Sequence, residues 1–377
     1  IDMDFTFNEE QTLIQSQVEQ FIQKDYEWET RQSLIKSDTG FSATHWKTFA
    51  ELGWLGISLS EESGGFGGSA IETMIIMEEF GKGLVLEPFL ETVVMCASLI
   101  DTVGSEEQKQ EILSGLSEGD LQMALAYAEP QSRFNLADVM TEAKSEGENY
   151  ILNGFKSVVM NGPNAHKLIV SARTSGNQRD KKGISLFLID ANATGLSTRD
   201  YQTVDNRRAS EVTLENVSVN HSSLIGALDE GFEILDESID RAILAISAEA
   251  IGAMEVLYKT TVEYTKTREQ FGTPIGKFQV LQHRMVDMFM EYEQCKSLLY
   301  MATMKHNESA DDAKKSISGL KYQVGNAAKF IGQQAVQLHG GMGVTDELNV
   351  GHYFKRLTTI GTIFGNSDYH LKKYTSL

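Results

Sequence analysis

Cysteine is nearly absent from this chain: Cys96 and Cys295 are the only two in 377 residues, far apart and each in an apolar, helix-like stretch. They form neither a disulfide framework nor a paired redox or zinc motif, so they read as buried reduced thiols, which points to a cytoplasmic setting. Long apolar runs are missing as well, and none approaches the ~18 residues that cross a membrane. Ile1 to Glu10 lacks the basic and apolar regions of a secretory signal, and the absence of Met at position 1 leads us to expect a trimmed or tagged start. Positive charge is the third scarcity. With 33 Lys and Arg against 53 Asp and Glu, the net charge of −20 disfavours nucleic acid and anionic membrane as partners. Most of that charge serves solubility, and a polyanionic ligand would need local Lys, Arg or helix N-termini. Catalytic signatures are also lacking. There is no His-Glu-x-x-His, paired Cys motif, Walker loop, Gly-x-Ser-x-Gly, or Gly-x-Gly-x-x-Gly after a strand, which argues against a metal site and a nicotinamide-binding Rossmann unit.

What is present divides the chain in three. The length suits two to three domains with a sizeable core, and 41% hydrophobic with 23% charged residues is ordinary for a globular protein. In the first part, Asn8, Ser42 and Ser105 sit where helix caps belong, and Pro88 suits a helix's first turn. The Gly-rich stretch from Ser63 to Gly68 reads as a turn before a helix that ends near Gly81. Short β-rich runs follow at 121–127, 150–152, 167–172, 184–189 and 211–214, separated by turn clusters such as Asn153-Gly154 and Asn161-Gly162-Pro163. From Gly231 onward, apolar stripes with 3,4 spacing predict long helices: Ile239 to Leu257, Phe278 to Leu299 and Ile317 to Leu338. With a shorter segment from Val350 to Phe364 they make a four-helix bundle. The expected fold class is therefore α+β, mostly α: an N-terminal helical domain (1–119), a middle antiparallel β-barrel or sandwich (120–226) and a C-terminal four-helix bundle (227–377).

Two segments stand out chemically. One runs from Tyr264 through Arg268, Phe271, Gly272 and Pro274 to Ile275, placing a guanidinium, an aromatic ring and a turn together. The other, Gln337 to Glu347, ends a helix in Gly340, Gly341 and Gly343. Bare backbone lets a phosphate or ribose approach and an Arg forks onto pyrophosphate oxygens, yet a structural turn explains the pattern about as well. His339 reads as a packing or capping residue rather than a ligand.

Together these segments resemble the two FAD signatures of the acyl-CoA dehydrogenase family, and the resemblance runs from Phe5 to Leu371. It implies FAD as cofactor, with Arg268 and Phe271 at the pyrophosphate and adenine end and Gln279, Gln337, Gly340 and Gly341 in further contact, part of the site being supplied across a subunit interface. The middle segment departs from the family. Ala128-Glu129-Pro130-Gln131-Ser132-Arg133-Phe134-Asn135 replaces a Thr-Glu-Pro and Gly-Ser-Asp turn, and Val158-Val159-Met160 replaces a Trp-Ile-Thr, so Val158 and Met160 would face the flavin. These variants look closest to the small subunit of pimeloyl-CoA dehydrogenase, an enzyme type that pairs a small with a large chain. Aligned through Arg356, the usual catalytic Glu is replaced by Gly365, next to Phe364. The family's other base position, just before an Arg on the first bundle helix, holds Asp240, followed by Arg241; the plainer reading is a solvated ion pair. The resemblance implies α,β-dehydrogenation of an acyl-CoA thioester, with Asp240 as base, Arg241, Phe364 and Gly365 at the substrate, and the Gly365 N–H free to polarise the thioester. It also implies electron-transfer flavoprotein as acceptor and a homotetramer, or a heterotetramer with a homologous large subunit. A catalytically silent partner subunit is the rival reading, and a flavin oxidase of the same fold a third.

Overall fold

The computed structural model describes residues 6–377, so the Phe5 end of the resemblance and the question of Ile1 lie outside the described residues. Contacts group the chain into two units. One holds Ile1–Gln32, Ser69–Val85 and Ile243–Leu377, the other Ser33–Gly68 and Leu86–Ala242. The N-terminal helices are α1 (Glu9–Asp25), α2 (Trp28–Lys36), α3 (Ala43–Glu51) and α4 (Ala70–Gly83), followed by a π-helical stretch, Leu90–Ala97, that runs into α5 (Ser98–Val103), and by α6 (Glu106–Ser117). Asn8, Ser69 and Ser105 each close a reciprocal capping box, with Gln11, Glu72 and Gln108, and Ser42 caps α3 through the His45 N–H. The Ser63–Gly68 stretch is a turn, as expected, with Gly64 and Gly67 at positive φ. Pro88 lies immediately before its helix, where its carbonyl accepts from Thr92 N.

The second unit is built on an eight-stranded sheet. Its strands are β1 (Met123–Ala126), β2 (Glu142–Glu146), β3 (Asn149–Met160), β4 (Lys167–Arg173), β5 (Ile184–Asp190), β6 (Leu196–Gln202), β7 (Arg208–Asn220) and β8 (Leu224–Ile225), in the order β6-β7-β3-β2-β4-β5-β8 with β1 on β4. Most pairs are antiparallel, as expected, but β1 and β2 both pair with β4 in parallel. The inward face collects Leu152, Val159, Leu168, Val170, Phe187, Ile189, Val212, Leu214 and Val217. Two strands leave no signal in the sequence. β2 is Glu-Ala-Lys-Ser-Glu and β6 is exposed along nearly its whole length, so neither shows the alternation that reveals a half-buried strand.

The long helices are α7 (Gly231–Thr267), α8 (Gln279–Asn307) and α9 (Ala313–His339), then α10 (Val350–Ile360) and α11 (Ser367–Ser376); a small hairpin, β9 (Glu269–Gln270) and β10 (Thr273–Pro274), joins α7 to α8. α10 ends four residues before Phe364, and α11 is too short and polar to announce itself by periodicity. The α9 stripe is buried throughout, from Ile317 to Leu338. The α8 stripe is not. Met288, Tyr292, Cys295 and Leu299 are core, whereas Phe278, Leu281 and Met285 are only half covered and Val280, Val286, Phe289 and Met290 face out. The first half of α8 therefore carries apolar surface that the described residues leave uncovered. Cys96 and Cys295 are both free and buried, as the sequence suggested. No described helix is long and apolar enough to cross a membrane.

Candidate active site

In the first unit, α7 delivers Arg268 directly into the β9–β10 hairpin. The Arg268 N–H still bonds Tyr264 O as a last helical turn, and Ile275 N returns to Arg268 O at 2.8 Å, closing the loop. At the hairpin tip Phe271 and Gly272 both take positive φ, +56° and +75°, the pair of left-handed residues that a tight two-residue turn demands. That geometry throws the Phe271 ring outward, 93% exposed. Arg268 is exposed, and its guanidinium makes no hydrogen bond or ion pair with the described residues. Gln279 opens α8, whose N-terminus has no side-chain cap.

The second segment meets the first. The Tyr264 ring stacks on His339, centroids 4.3 Å apart at 27°, and its hydroxyl donates to His339 O at 3.5 Å. Two stretches that are distant in sequence are thus joined at their bases. Beyond His339 the chain turns through Gly340 at φ +62°, and a Cβ placed on Gly340 or Gly341 would meet no atom within 4 Å. Gln337 is exposed beside them. His339 itself is buried, its Nδ1 2.8 Å from Ala335 O, and burial holds its pKa below the ordinary value. It is a packing residue, as expected. An unpaired guanidinium, an uncovered aromatic ring, an uncapped helix N-terminus and open glycine backbone fit a long dianionic ligand with an aromatic end.

Comparison with known proteins decides the family. Models of the acyl-CoA dehydrogenase N-terminal, middle and C-terminal domains match residues 8–120, 124–217 and 229–374. The short-chain-specific acyl-CoA dehydrogenase of Clostridium acetobutylicum is 31% identical over 92% of each chain. The chain belongs to the acyl-CoA dehydrogenase family. Among solved structures, PigA with FAD and proline superposes with a TM-score of 0.92 at 29% identity, over 99% of this chain and 98% of that one. Butyryl-CoA dehydrogenase from Megasphaera elsdenii gives 0.88 at 25% identity, over 99% of each chain. The fold is that of the family, and FAD is the cofactor.

In the second unit, Met160 lines a crevice with Phe41, Leu86, Glu91 and Arg207, while Val158 on the same strand is 44% exposed. The loop after Ala128 is pinned by the Glu129 carboxylate. Glu129 accepts from Lys156 Nζ at 2.7 Å, Met140 N at 2.8 Å and Thr141 N at 3.1 Å, and although burial pushes its carboxyl up, Lys156 and these donors hold it below the ordinary value. A fully buried Lys escapes sequence reading, because Lys is expected at the surface.

Asp240, the tenth residue of α7, is 2% exposed, so it is not the solvated acid of the plainer sequence reading. Arg241 is largely buried too and pairs with Glu237 at 3.5 Å. Back in the first unit, Phe364 and Gly365 lie in a tight turn between α10 and α11, at φ +59° and +111°. A Cβ on Gly365 would stand 2.5 Å from the Tyr369 ring and 2.6 Å from His370 Nε2. The Gly365 N–H, expected to be free, points at Thr362 O, 3.3 Å away.

Arg268→Ala is expected to lower FAD affinity by the worth of a charge-assisted bond, roughly 1.5–3 kcal/mol; titrating apo-protein with FAD checks this, and unchanged affinity removes Arg268 from the site. Gly365→Glu is expected not to install a working base but to destabilise the fold by about 2 kcal/mol or more, through backbone strain and the collision with His370. Urea denaturation measures it, and an equally stable, more active variant would show that the turn adapts.

Proposed function

We propose that the chain carries out α,β-dehydrogenation of an acyl-CoA thioester, with Asp240 as the base. The observation that carries this reading is the Tyr264–His339 contact, which sets the unpaired Arg268 and the open glycines on one structural base. Bound FAD supplies an acceptor for the substrate's β-hydrogen as hydride. The chain's part is to orient the thioester and take up the α-proton. Asp240 suits the second task because burial removes the water that would otherwise solvate its carboxylate and blunt its reach for a carbon acid. Arg241, beside it and paired with Glu237, keeps a compensating charge in the same helical turn. Electron-transfer flavoprotein is the proposed acceptor of the electrons. The resemblance of the middle-domain variants to the small subunit of pimeloyl-CoA dehydrogenase makes pimeloyl-CoA the first thioester to test.

The uncovered apolar residues Val280, Val286, Phe289 and Met290, together with Phe271, favour assembly with a second chain of this fold, either a copy or a homologous large subunit. A silent partner subunit is the second reading, and one observation favours it: the turn at Gly365 has no room for the side chain that carries the usual base. A flavin spectrum of the purified chain, with electron-acceptor assays across acyl-CoA thioesters, separates the two readings. Oxygen consumption would reveal an oxidase.

Asp240→Asn is expected to keep FAD and acyl-CoA binding and lose flavin reduction by more than about a hundredfold, within the ~10²–10⁴ range for general bases. Asp240→Glu should retain part of the rate. Reduction at the native rate in Asp240→Asn places the base elsewhere or in a partner. For assembly, sedimentation should find a dimer-based tetramer or a chain that is soluble and flavin-loaded only when co-expressed with its homologue. A stable monomer that binds FAD fully contradicts both.

A further inference from the structure

Lys321 is a lysine with no place in the chemistry above. It lies a third of the way along α9 and is 0% exposed, and no carboxylate among the described residues pairs with it. Its Nζ donates to Ile360 O, at the last residue of α10, at 2.8 Å and to Gly365 O at 3.0 Å, so one ammonium spans the turn between α10 and α11. Within the turn, Phe364 O lies 2.8 Å from His370 Nε2; a carbonyl can only accept, so the ring proton is on Nε2. α9 also holds the start of α11. Ser367 Oγ donates to Tyr322 O at 3.2 Å, and Gly325 lets it approach, since a Cβ there would stand 2.5 Å from that hydroxyl.

We infer that Lys321 is a positioning residue that fixes the Phe364–Gly365 turn from behind so that its outer edge meets the acyl thioester in one geometry. The inference rests on the proposed acyl-CoA chemistry. A helix end of this kind can be closed more cheaply by a Ser, an Asn or a water, because an isolated ammonium in the interior forfeits its hydration. What a lysine provides instead is reach: one atom, on a long stem rooted in the bundle, holds two carbonyls several residues apart. With Phe364 and Gly365 both at positive φ, the turn sits in a sparsely populated conformation that its surroundings must maintain. Burial alone lowers the Lys321 pKa to about 7. A neutral amine still has two N–H donors for the two carbonyls, but bonds from the ammonium are the stronger. The turn is therefore held throughout, and more firmly below neutrality than above it. The titratable group facing Lys321 from α11 is His370, lowered by burial to about 4 and so neutral in this range, with Lys373 beyond it; from α10 the contact is the Ile360 backbone carbonyl.

The test compares wild type with Lys321→Met, in the FAD-loaded protein and with its homologous partner if one is required. Butyryl-CoA, octanoyl-CoA and pimeloyl-CoA are titrated while the flavin absorbance perturbation is followed. Lys321→Met is expected to keep its flavin content and to bind the responding thioester about tenfold more weakly, and the wild-type affinity is expected to decline as pH rises through about 7 while the variant's stays flat. Equal affinity and the same pH profile in both proteins overturn the inference and leave the functional reading standing. A flavin-loaded wild type that responds to no thioester overturns the functional reading, and the inference with it. If Lys321→Met does not fold, wild-type amide exchange takes its place: protection of Thr362–Asn366, corrected for intrinsic rates, should fall several-fold across neutral pH in that turn alone, and unchanged protection overturns the proposal.

Discussion

Two glycines fix the first unit. A Cβ on Gly81 of α4 would lie 1.9 Å from Glu249 O on α7, and a Cβ on Gly252 would lie 1.8 Å from Glu78 O on α4. The relation is reciprocal: each helix offers a bare backbone to a carbonyl of the other. No side chain fits between them, so the two axes meet as closely as helices can, with Cα–H groups against carbonyl oxygens. Alanine at either position would force the helices apart, and everything anchored on them would move.

Much is anchored there. Glu249, whose carbonyl touches Gly81, sends its carboxylate into a bidentate pair with Arg356, at 2.7 and 2.8 Å, both residues almost fully buried. Arg356 belongs to α10, and on the same helix the Tyr353 hydroxyl donates to Lys82 O, at the end of α4. α10 is therefore tied to both crossing helices, and where it ends, at Ile360, the Lys321-held turn begins. On the other side of the crossing, Glu78 and Glu79 are buried and answered by Lys296 at 3.1 Å and Lys82 at 2.8 Å. Buried pairs of this kind add little net stability, since desolvation offsets attraction. Breaking one is costly, however, so they hold a single arrangement. The line from glycine contact to ion pair to α10 to turn is how a backbone crossing sets the position of Phe364 and Gly365.

The parts of this structure legible in the sequence are those encoded by local pattern. The caps at Asn8, Ser42 and Ser105, the α7 and α9 stripes, and the glycine turn after Ser63 each follow from spacing within a few residues. β2 and β6 are not legible because largely exposed polar strands bury too little to alternate, nor is the parallel pairing of β1, which depends on a partner more than forty residues away. The α8 stripe reads as core along its whole length, because periodicity shows which face is apolar and not what covers it. At the candidate site, Arg268, Phe271 and the glycines after His339 are singled out by motif resemblance, whereas Lys321, Lys156, Glu249 and Gly252 carry no such signal. A buried lysine looks like a surface lysine in sequence, and a helix-crossing glycine looks like a weak helix former.

Charge brings the site and the composition together. A protein with a net charge of −20 repels a dinucleotide and a coenzyme A alike at long range. Short-range cations must reverse this, yet many of the chain's cations are already engaged: Lys82, Lys156, Lys296 and Arg356 in buried or half-buried pairs, Arg173 in holding four backbone carbonyls. Arg268 is different. It stands exposed just past the end of α7 without a protein partner among the described residues, one turn beyond the Tyr264 ring that stacks on His339. A cation whose hydrogen bonds are unspent gives all of them to an incoming phosphate, and at contact distance these bonds outweigh a diffuse field that salt screens within about a Debye length, ~8 Å. The same acidity then works as a filter. Polyanions without a matching arrangement of phosphate and aromatic ring meet the repulsion with less to offset it, so under the proposed assignment of Arg268 selectivity rests on local geometry rather than on a basic surface.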